Sequence, residues 1–441
     1  MPDADLTDSA DTADTADVTD IEEGAVAPRV PAQAAADPRD LRHRPGSPGY
    51  RRIRLALFAA GVATFVLLYS TQALLPALSD SLRLTPGQAS LTVTAATLGL
   101  AAAVIPISAL SEKFGRTRVM TFSVFAAAVL ALAIPFSPGL TTLVVLRAVQ
   151  GVCLAGLPAT AMAYLAEEVH PSALPSAMGL YIAGNSIGGM GGRILADLVG
   201  GVAGWRWGLA SVAVVSLACA VLFRVLVPKA RYFRPGPVNP MALLRTVLGH
   251  LRNPLLLRLF ALGLLFMAVF GAVYNVMGYR LTAEPFGLPE GLVGLIFLVY
   301  LVGTFTSASA GRIVARLGRR GALFASIGVT AVGLLVSIPD SLPAALLGLV
   351  LITGGFFAGH SVASSSVGRT ATTARAQASA LYLAAYYIGN SVGGSIGADA
   401  YHSFAWTGAV AVGLIAMALA AAVTGYAALR ARRDRAGAAA V

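Results

Sequence analysis

Among the ionisable side chains within the long apolar stretches of this 441-residue chain, five are the first candidates for chemistry: Arg147, Arg193, Asp197, Arg280 and His360. An arginine at the centre of a lipid-embedded helix costs about 2.5–3.5 kcal/mol on insertion scales, so each of these charges must face protein or water. Arg147 has two readings: it binds a charged ligand or tunes a proton site, or it caps backbone carbonyls between packed helices. Arg193 and Asp197 are four residues apart and share one helix face. They form either a local ion pair or a proton acceptor, Asp197, whose proton affinity Arg193 controls. His360 is either a packing residue or a titrating one, its ordinary pKa being near 6.5. Enzyme chemistry finds no foothold. There is no His-Glu-x-x-His, no Gly-x-Ser-x-Gly, no phosphate-binding Gly-x-x-x-x-Gly-Lys-Ser/Thr and no pair of aspartates within the apolar runs. Cys153 and Cys219 lie in separate apolar runs, which excludes a disulfide framework, and no Cys/His spacing suits a metal. No cofactor is expected, and an intramembrane enzyme or receptor is the remote alternative.

The elements that must hold these charges follow from composition. The chain is 56% hydrophobic and 12% charged, whereas soluble domains carry about 25% charged residues. Apolar runs long enough to span a bilayer occur at roughly 53–79, 88–110, 119–136, 140–166, 176–199 and 206–227, and again at 255–282, 290–314, 321–338, 343–367, 376–399 and 406–429. All should be helices, since an open strand cannot satisfy its backbone in lipid. The expected fold is all-α and integral to the membrane, with about twelve transmembrane helices in two six-helix halves, 50–227 and 254–429. Between them lies a basic linker (228–253), and a basic C-terminal tail (430–441) ends the chain. Residues 1–40 hold 11 acids and two bases, and the segment 1–49 reads as a disordered acidic tail. The rest carries 30 bases against 10 acids. Such an excess can signal nucleic acid, but these bases cluster in every second loop, so no nucleic-acid partner is expected. The positive-inside rule then predicts that both termini are cytoplasmic.

An internal repeat supports the two halves. GNSIGG at 184–189 returns as GNSVGG at 389–394, an offset of 205. LAG at 154–156 returns as FAG at 357–359, and Gly115-Arg116 returns as Gly318-Arg319, both at 203. A duplicated six-helix unit is the plan of secondary transporters, which bind near the midplane between the halves and expose the site alternately. Gly184, Gly188, Gly189 and Gly192 in the first half, and Gly389, Gly393 and Gly394 in the second, should let helices approach closely.

Two loop and helix motifs carry a resemblance. Ser108-Ala109-Leu110-Ser111-Glu112-Lys113-Phe114-Gly115-Arg116 resembles the loop motif of the major facilitator superfamily, and Arg147, Gln150 and Gly151 match its Arg-x-x-Gln-Gly pattern. The longer stretches 167–193, 354–368 and 377–394 are similar to the YnfM-like, acriflavine-sensitivity branch of efflux permeases. The resemblance implies a monomeric, multi-pass transporter of the bacterial cytoplasmic (inner) membrane that exports small organic molecules by alternating access, as a proton antiporter. In the antiporter signature Gly189 stands where Pro is expected, so a proton-coupled importer of a sugar, organic acid or similar nutrient stays open. The superfamily lines its path with the first, fourth, seventh and tenth helices. That favours Tyr69, Gln72, Arg147, Gln150, Tyr274 and Asn275, with Tyr386 added from the eleventh. Glu112, Lys113, Gly115 and Arg116 should form a cytoplasmic latch, with Glu112 near the positive N-terminus of the eleventh helix and Glu167 or Glu168 on Arg116. The same residues read equally as positive-inside anchors. Because buried charge is mostly positive, neutral, zwitterionic or anionic substrates should be preferred to permanent cations.

Overall fold

The structure is a computed structural model that describes residues 42–233, 235 and 240–438, with the side chains of 427–438 excepted. The acidic segment 1–41, Arg234 and the side chains of the C-terminal arginines lie outside the described residues. What is described is helical, apart from one isolated bridge between His43 and Val169.

The first half runs α1 (Pro48–Leu68), α2 (Leu75–Leu82), α3 (Pro86–Phe114), α4 (Arg116–Ala133), α5 (Leu140–Leu154), α6 (Gly156–Glu168), α7 (Leu174–Ala203) and α8 (Trp205–Leu226). The linker carries α9 (Pro240–Leu251). The second half runs α10 (Pro254–Tyr274), α11 (Met277–Thr282), α12 (Tyr300–Val336), α13 (Leu342–Thr370) and α14 (Arg375–Ala438). Short 3₁₀ turns at Ile134–Phe136 and Val293–Val299 extend α4 and precede α12.

Twelve spans come out of these elements because several runs are broken or joined. The first and seventh spans are interrupted at matching places: α1 stops at Leu68 and resumes as α2, and α10 stops at Tyr274 and resumes as α11. α5 and α6 together make the fourth span. α12 contains two spans that meet at Gly318, whose φ of +68° a side chain would strain. α14 contains the last two, which meet at Phe404 and Ala405. Eight segments are long and apolar enough to cross a bilayer by length and composition alone. α1, which opens with three arginines, and α7, which is glycine-rich and holds Arg193 and Asp197, are not among them.

Helix starts follow local rules. Pro48 and Pro254 occupy first-turn positions behind the side-chain caps Ser47 and Asn253, and Thr85 with Gln88 forms a reciprocal capping box. The folded chain therefore begins ahead of the expected boundary at residue 50. His43 donates its N–H to Glu168 O at 2.9 Å, and its carbonyl accepts from His170 N at 3.1 Å. Within the linker, α9 sets its buried His250 beside Ala374 O at 3.3 Å. A twelve-residue helix followed by a break is too short to stand out against the apolar spans.

The glycine repeat is a packing device used twice. On α7, a Cβ at Gly184, Gly188 or Gly192 would sit 2.5–2.7 Å from backbone atoms of Phe58, Val62 and Val66 of α1. On α14, Gly389, Gly393 and Gly397 meet the backbone of Leu264, Ala268 and Ala272 of α10 in the same way. Each pair crosses backbone to backbone, the close approach that small residues permit. The expectation for Gly189 and Gly394, which correspond in the repeat, is corrected. Both stand one residue round the helix from the packing row and face side chains instead. A Cβ at Gly394 would lie 2.5 Å from Asn275 Nδ2, and one at Gly189 would lie 3.5 Å from Arg193 Nη1. Gly394 makes room for the Asn275 amide, and Gly397 takes the third packing place on α14.

Candidate substrate cavity and gate

The loops after the even-numbered spans lie on one face of the bundle and hold the arginine clusters; the opposite face carries Asp80, Glu284, Glu290, Asp340 and Asp399. The bonds that tie the two halves together lie toward this acidic face. Where α1 and α10 break, Gln72 Nε2 donates to Asn275 Oδ1 at 2.6 Å, across two positions that correspond in the repeat. Beyond it, Tyr279 O–H donates to Leu75 O at 2.9 Å and sits 2.6 Å from Ser79 Oγ. The end of α7 closes on the segment before α12, where Asp197 Oδ2 accepts the Gly294 N–H at 2.6 Å. That contact is lined by glycine on both sides. A Cβ at Gly201 would come within 2.7 Å of Glu290 O, and one at Gly294 within 2.7 Å of the Asp197 side chain. α3 meets α14 through Thr97 Oγ1 and Ser391 Oγ at 2.8 Å and through Thr94 Oγ1 and Ser395 Oγ at 3.0 Å.

Beneath this seal, toward the basic face, is a cavity of about 200 Å³ between the halves. α7 contributes Asn185, Ser186 and Arg193, and α1 contributes Phe65, with Tyr69 just past its end. The second half supplies a wall of rings: Phe270, Tyr300, Phe356, Phe357, His360 and Tyr386. Phe270 stacks on Phe356 at 4.2 Å, and His360 lies 4.7 Å from Tyr386. Ile182, one α7 turn nearer the basic face, also lines the cavity and is 52% exposed, and among the described residues no hydrogen bond or ion pair joins the halves on that side.

Arg193 is the cation of the cavity. It is 2% exposed, its Nε–H donates to Gln72 Oε1 at 2.7 Å, and its Nη1–H donates to Gly189 O at 2.6 Å. Its guanidinium carbon lies 4.3, 4.9 and 5.0 Å from the ring centres of Tyr69, Phe297 and Tyr300. It does not pair with Asp197: one α7 turn separates the aromatic cage from the gate, and each group is satisfied separately. Gln72 thus joins the cavity cation to Asn275 of the other half.

Other sequence candidates fall elsewhere. Arg147 is fully buried behind the cavity wall and does not line it. Its donors go to Thr92 O at 3.0 Å, Leu67 O at 2.8 Å, Leu68 O at 2.5 Å and Gln150 Oε1 at 2.6 Å, while Gln150 itself donates to Ala127 O at 3.1 Å. The break after α1 ends the helical ladder for the carbonyls of its last turn; Ser70 and Arg147 share Leu67 O, and Arg147 alone reaches Leu68 O. The expectation that Arg147 and Gln150 line the path is corrected on that ground. Tyr274 also stands behind the wall, its hydroxyl 2.7 Å from Thr353 Oγ1. Gln72 and Asn275 belong to the gate. Tyr69, Tyr386, Arg193 and His360 do line the cavity, His360 with Nδ1 2.9 Å from the Tyr382 hydroxyl. Arg280 caps the carbonyls of Ser337, Ile338 and Pro339 at the acidic face.

At the basic face Arg116 pairs with Glu167 at 3.2 Å and approaches Glu112 at 3.9 Å. Glu168 is not its partner, because its Oε1 accepts the backbone N–H groups of Arg231 and Tyr232 at 2.7 and 2.9 Å. Glu112 makes no hydrogen bond or ion pair to the start of α14 among the described residues. Lys113 lies 5.4 Å from the Phe114 ring, and Gly115, at φ +98°, turns α3 into α4.

Sequence reasoning missed Asn185, Tyr300, Phe356 and Phe357 as cavity residues. Asn185 had a signal, as the polar member of the repeated Gly-Asn-Ser; the rings resembled any other apolar residue in a span.

Two repeated helical bundles around a central cavity, sealed at one face, define a membrane transporter. The chain belongs to the major facilitator superfamily, whose model matches residues 57–283. It is 42% identical to the uncharacterized MFS-type transporter YybF of Bacillus subtilis over 87% of this chain and 95% of that one. It is 38% identical to the inner membrane transport protein YnfM of Escherichia coli over 88% and 92%. Among solved structures it is similar in fold to a bacterial homologue of the human lysosomal transporter Spinster in an inward-facing, unoccupied conformation, with a TM-score of 0.70, 16% identity and coverage of 86% and 96%.

Proposed function

We propose that this chain exports a small organic molecule across the bacterial cytoplasmic membrane by alternating access, in exchange for protons, as a monomer with both termini in the cytoplasm. The observation that carries this reading is the cavity between the halves, closed toward the acidic face by interbundle hydrogen bonds and open toward the basic one. With the basic loops inside, as the positive-inside rule requires, this is an inward-facing state ready to load from the cytoplasm. The similarity to the YnfM-like branch favours export, and Asp197 is the proposed coupling residue. Because it holds the gate and does not line the cavity, a proton on it acts on the strength of the closure. Arg116 and Glu167, already paired in this state, would with Glu112 present the opposing latch to the second half when the molecule faces outward.

The experiment is flux in inside-out vesicles. Energised vesicles carrying the chain should accumulate an exported compound, lose that accumulation with a protonophore, and lose the gradient dependence in Asp197→Asn. Movement in the opposite sense would favour a nutrient importer, and unchanged gradient-driven flux in Asp197→Asn would remove the carboxylate from coupling.

A further inference from the structure

The cavity is chemically lopsided, and the imbalance bears on what it accepts. No carboxylate lines it among the described residues. It contains one guanidinium, that of Arg193, which has five N–H donors. Two bonds are made, from Nε to Gln72 and from Nη1 to Gly189 O. Among the described residues nothing accepts from Nη2, and no carboxylate forms an ion pair with Arg193. A second donor stands by: Tyr300 lines the same cavity, is 8% exposed, and its hydroxyl has no hydrogen-bond partner among the described residues.

A quaternary ammonium would need either a carboxylate or an open aromatic cage. No carboxylate is on offer, and the cage of Tyr69, Phe297 and Tyr300 already holds the chain's own cation. An added cation would find that cage taken and could turn only to the remaining rings, close to a positive charge in a poorly solvated site. An anion meets the reverse situation. It completes a guanidinium with a charge-assisted bond and gives the Tyr300 hydroxyl an acceptor, while the stacked rings of Phe270 and Phe356 and the pair His360–Tyr386 offer flat apolar surface.

Resting on the transporter reading above, we propose that the substrates are organic monoanions with a planar apolar body and a carboxylate-type head, the head received by Arg193 Nη2 and the Tyr300 hydroxyl. Export of such an anion runs with an interior-negative potential.

The test uses the full chain in detergent or nanodiscs and three probes of one ring system: naphthoate, naphthamide and naphthylmethyl-trimethylammonium. Binding is read from intrinsic fluorescence and thermal shift. Naphthoate should bind about tenfold or more tighter than the amide, the difference expected of one charge-assisted hydrogen bond, and the ammonium should bind weakest. Arg193→Gln should bring naphthoate down to the amide level, and Arg193→Lys should keep part of the preference. Equal or tighter binding of the ammonium, no saturable binding of naphthoate, or naphthoate binding indifferent to Arg193→Gln overturns the proposal. If Arg193→Gln does not fold, the ranking on the unaltered chain decides. Vesicle flux of the same probes separates the two readings. Transport with the ranking reversed discards the anion and keeps the transporter, whereas the predicted ranking without flux keeps the anion site and discards transport.

Discussion

The two halves share a scaffold and divide the chemistry. In both, a glycine-faced helix lies against a helix that breaks near its acidic-face end, and in both the second and third spans of the half are joined by a positive-φ glycine, Gly115 or Gly318. The buried charges do not repeat. At the offset of the glycine motif, Arg193 corresponds to Ala398 and Asp197 to His402; at the offset of the arginine loop, Arg147 corresponds to Val350. The first half therefore brings the cation and the gate carboxylate, and the second brings rings and the backbone N–H of Gly294 that the carboxylate grips. Even the paired glycines diverge in use, Gly189 lying beside the cavity cation and Gly394 beside the Asn275 amide of the gate. Duplication supplied a symmetric hinge, and the asymmetry laid over it made a site with a charged side and an aromatic side.

Arg147 offers the strongest way to break this comparison. If it is a structural clamp of the first half, Arg147→Met takes one donor from the carbonyls of Thr92 and Leu67, which keep bonds within α3 and from Ser70, and removes the donor that Leu68 O and Gln150 Oε1 rely on. At about 1–3 kcal/mol for each buried unsatisfied group, these two groups should cost the variant roughly 2 kcal/mol or more, seen as a lower melting temperature and yield in detergent. A variant that melted normally but no longer transported would return Arg147 to the substrate path.

The gate comes next. Gly294→Val and Gly201→Val put branched side chains where a single Cβ already has no room, so both should hold the acidic face apart. Transport should fall about tenfold or more, equivalent to some 1.4 kcal/mol against closure, and a cysteine at Ser79 should become reactive to an impermeant reagent from that side. Full activity of either variant would mean that this seal is not part of the cycle. Gln72→Leu should act more mildly, loosening the link between the cavity cation and Asn275. Half to all of one buried hydrogen bond, about 0.5–1.5 kcal/mol, should appear as faster labelling at the same position.

The basic-face pairing is smaller still. A double-mutant cycle between Arg116 and Glu167, a partly buried pair at the basic face, should return on the order of 1 kcal/mol, the upper end of what exposed pairs give, and Arg116 with Glu168 should return less. The reverse order would restore Glu168 as the partner. The least effect belongs to His43, whose burial, with Arg231 nearby, lowers its affinity for protons, while Glu168 opposes the shift. Its folded-state pKa lies below the ordinary 6.5, so the unfolded chain binds the proton more readily. Stability should be unaffected well above pH 6.5 and should fall as pH drops through it. His43→Gln should flatten the difference in melting between about pH 7.5 and about pH 5.5, the interval in which an ordinary histidine changes charge.

Much of the architecture was legible because lipid is a strict solvent. Run length, the alternation of basic loops and the repeated Gly-Asn-Ser motif led to twelve spans, two halves and close helix crossings without any knowledge of contacts. The site was read less well. Arg147 looked functional because a charge in an apolar run is costly wherever it points, and nothing in one dimension separates a guanidinium that caps carbonyls from one that faces a cavity. Arg193 and Asp197 looked like a pair because they share a face, yet the first is held by Tyr69 and Gln72 of its own half together with Phe297 and Tyr300 of the other, and the second by the N–H of Gly294. Gly394 looked like one more packing glycine, because a run of small residues does not announce which of them faces a backbone and which a side chain.

The order of apolar runs and charges in the chain was enough to determine that it is a duplicated helical membrane protein, since each span must satisfy its backbone alone and its composition reports that directly. Which buried charge braces the bundle, which seals the gate and which faces the cavity was decided only when the halves came together. Those roles depend on partners some 80 to 200 residues away, and local sequence carries no record of distant partners.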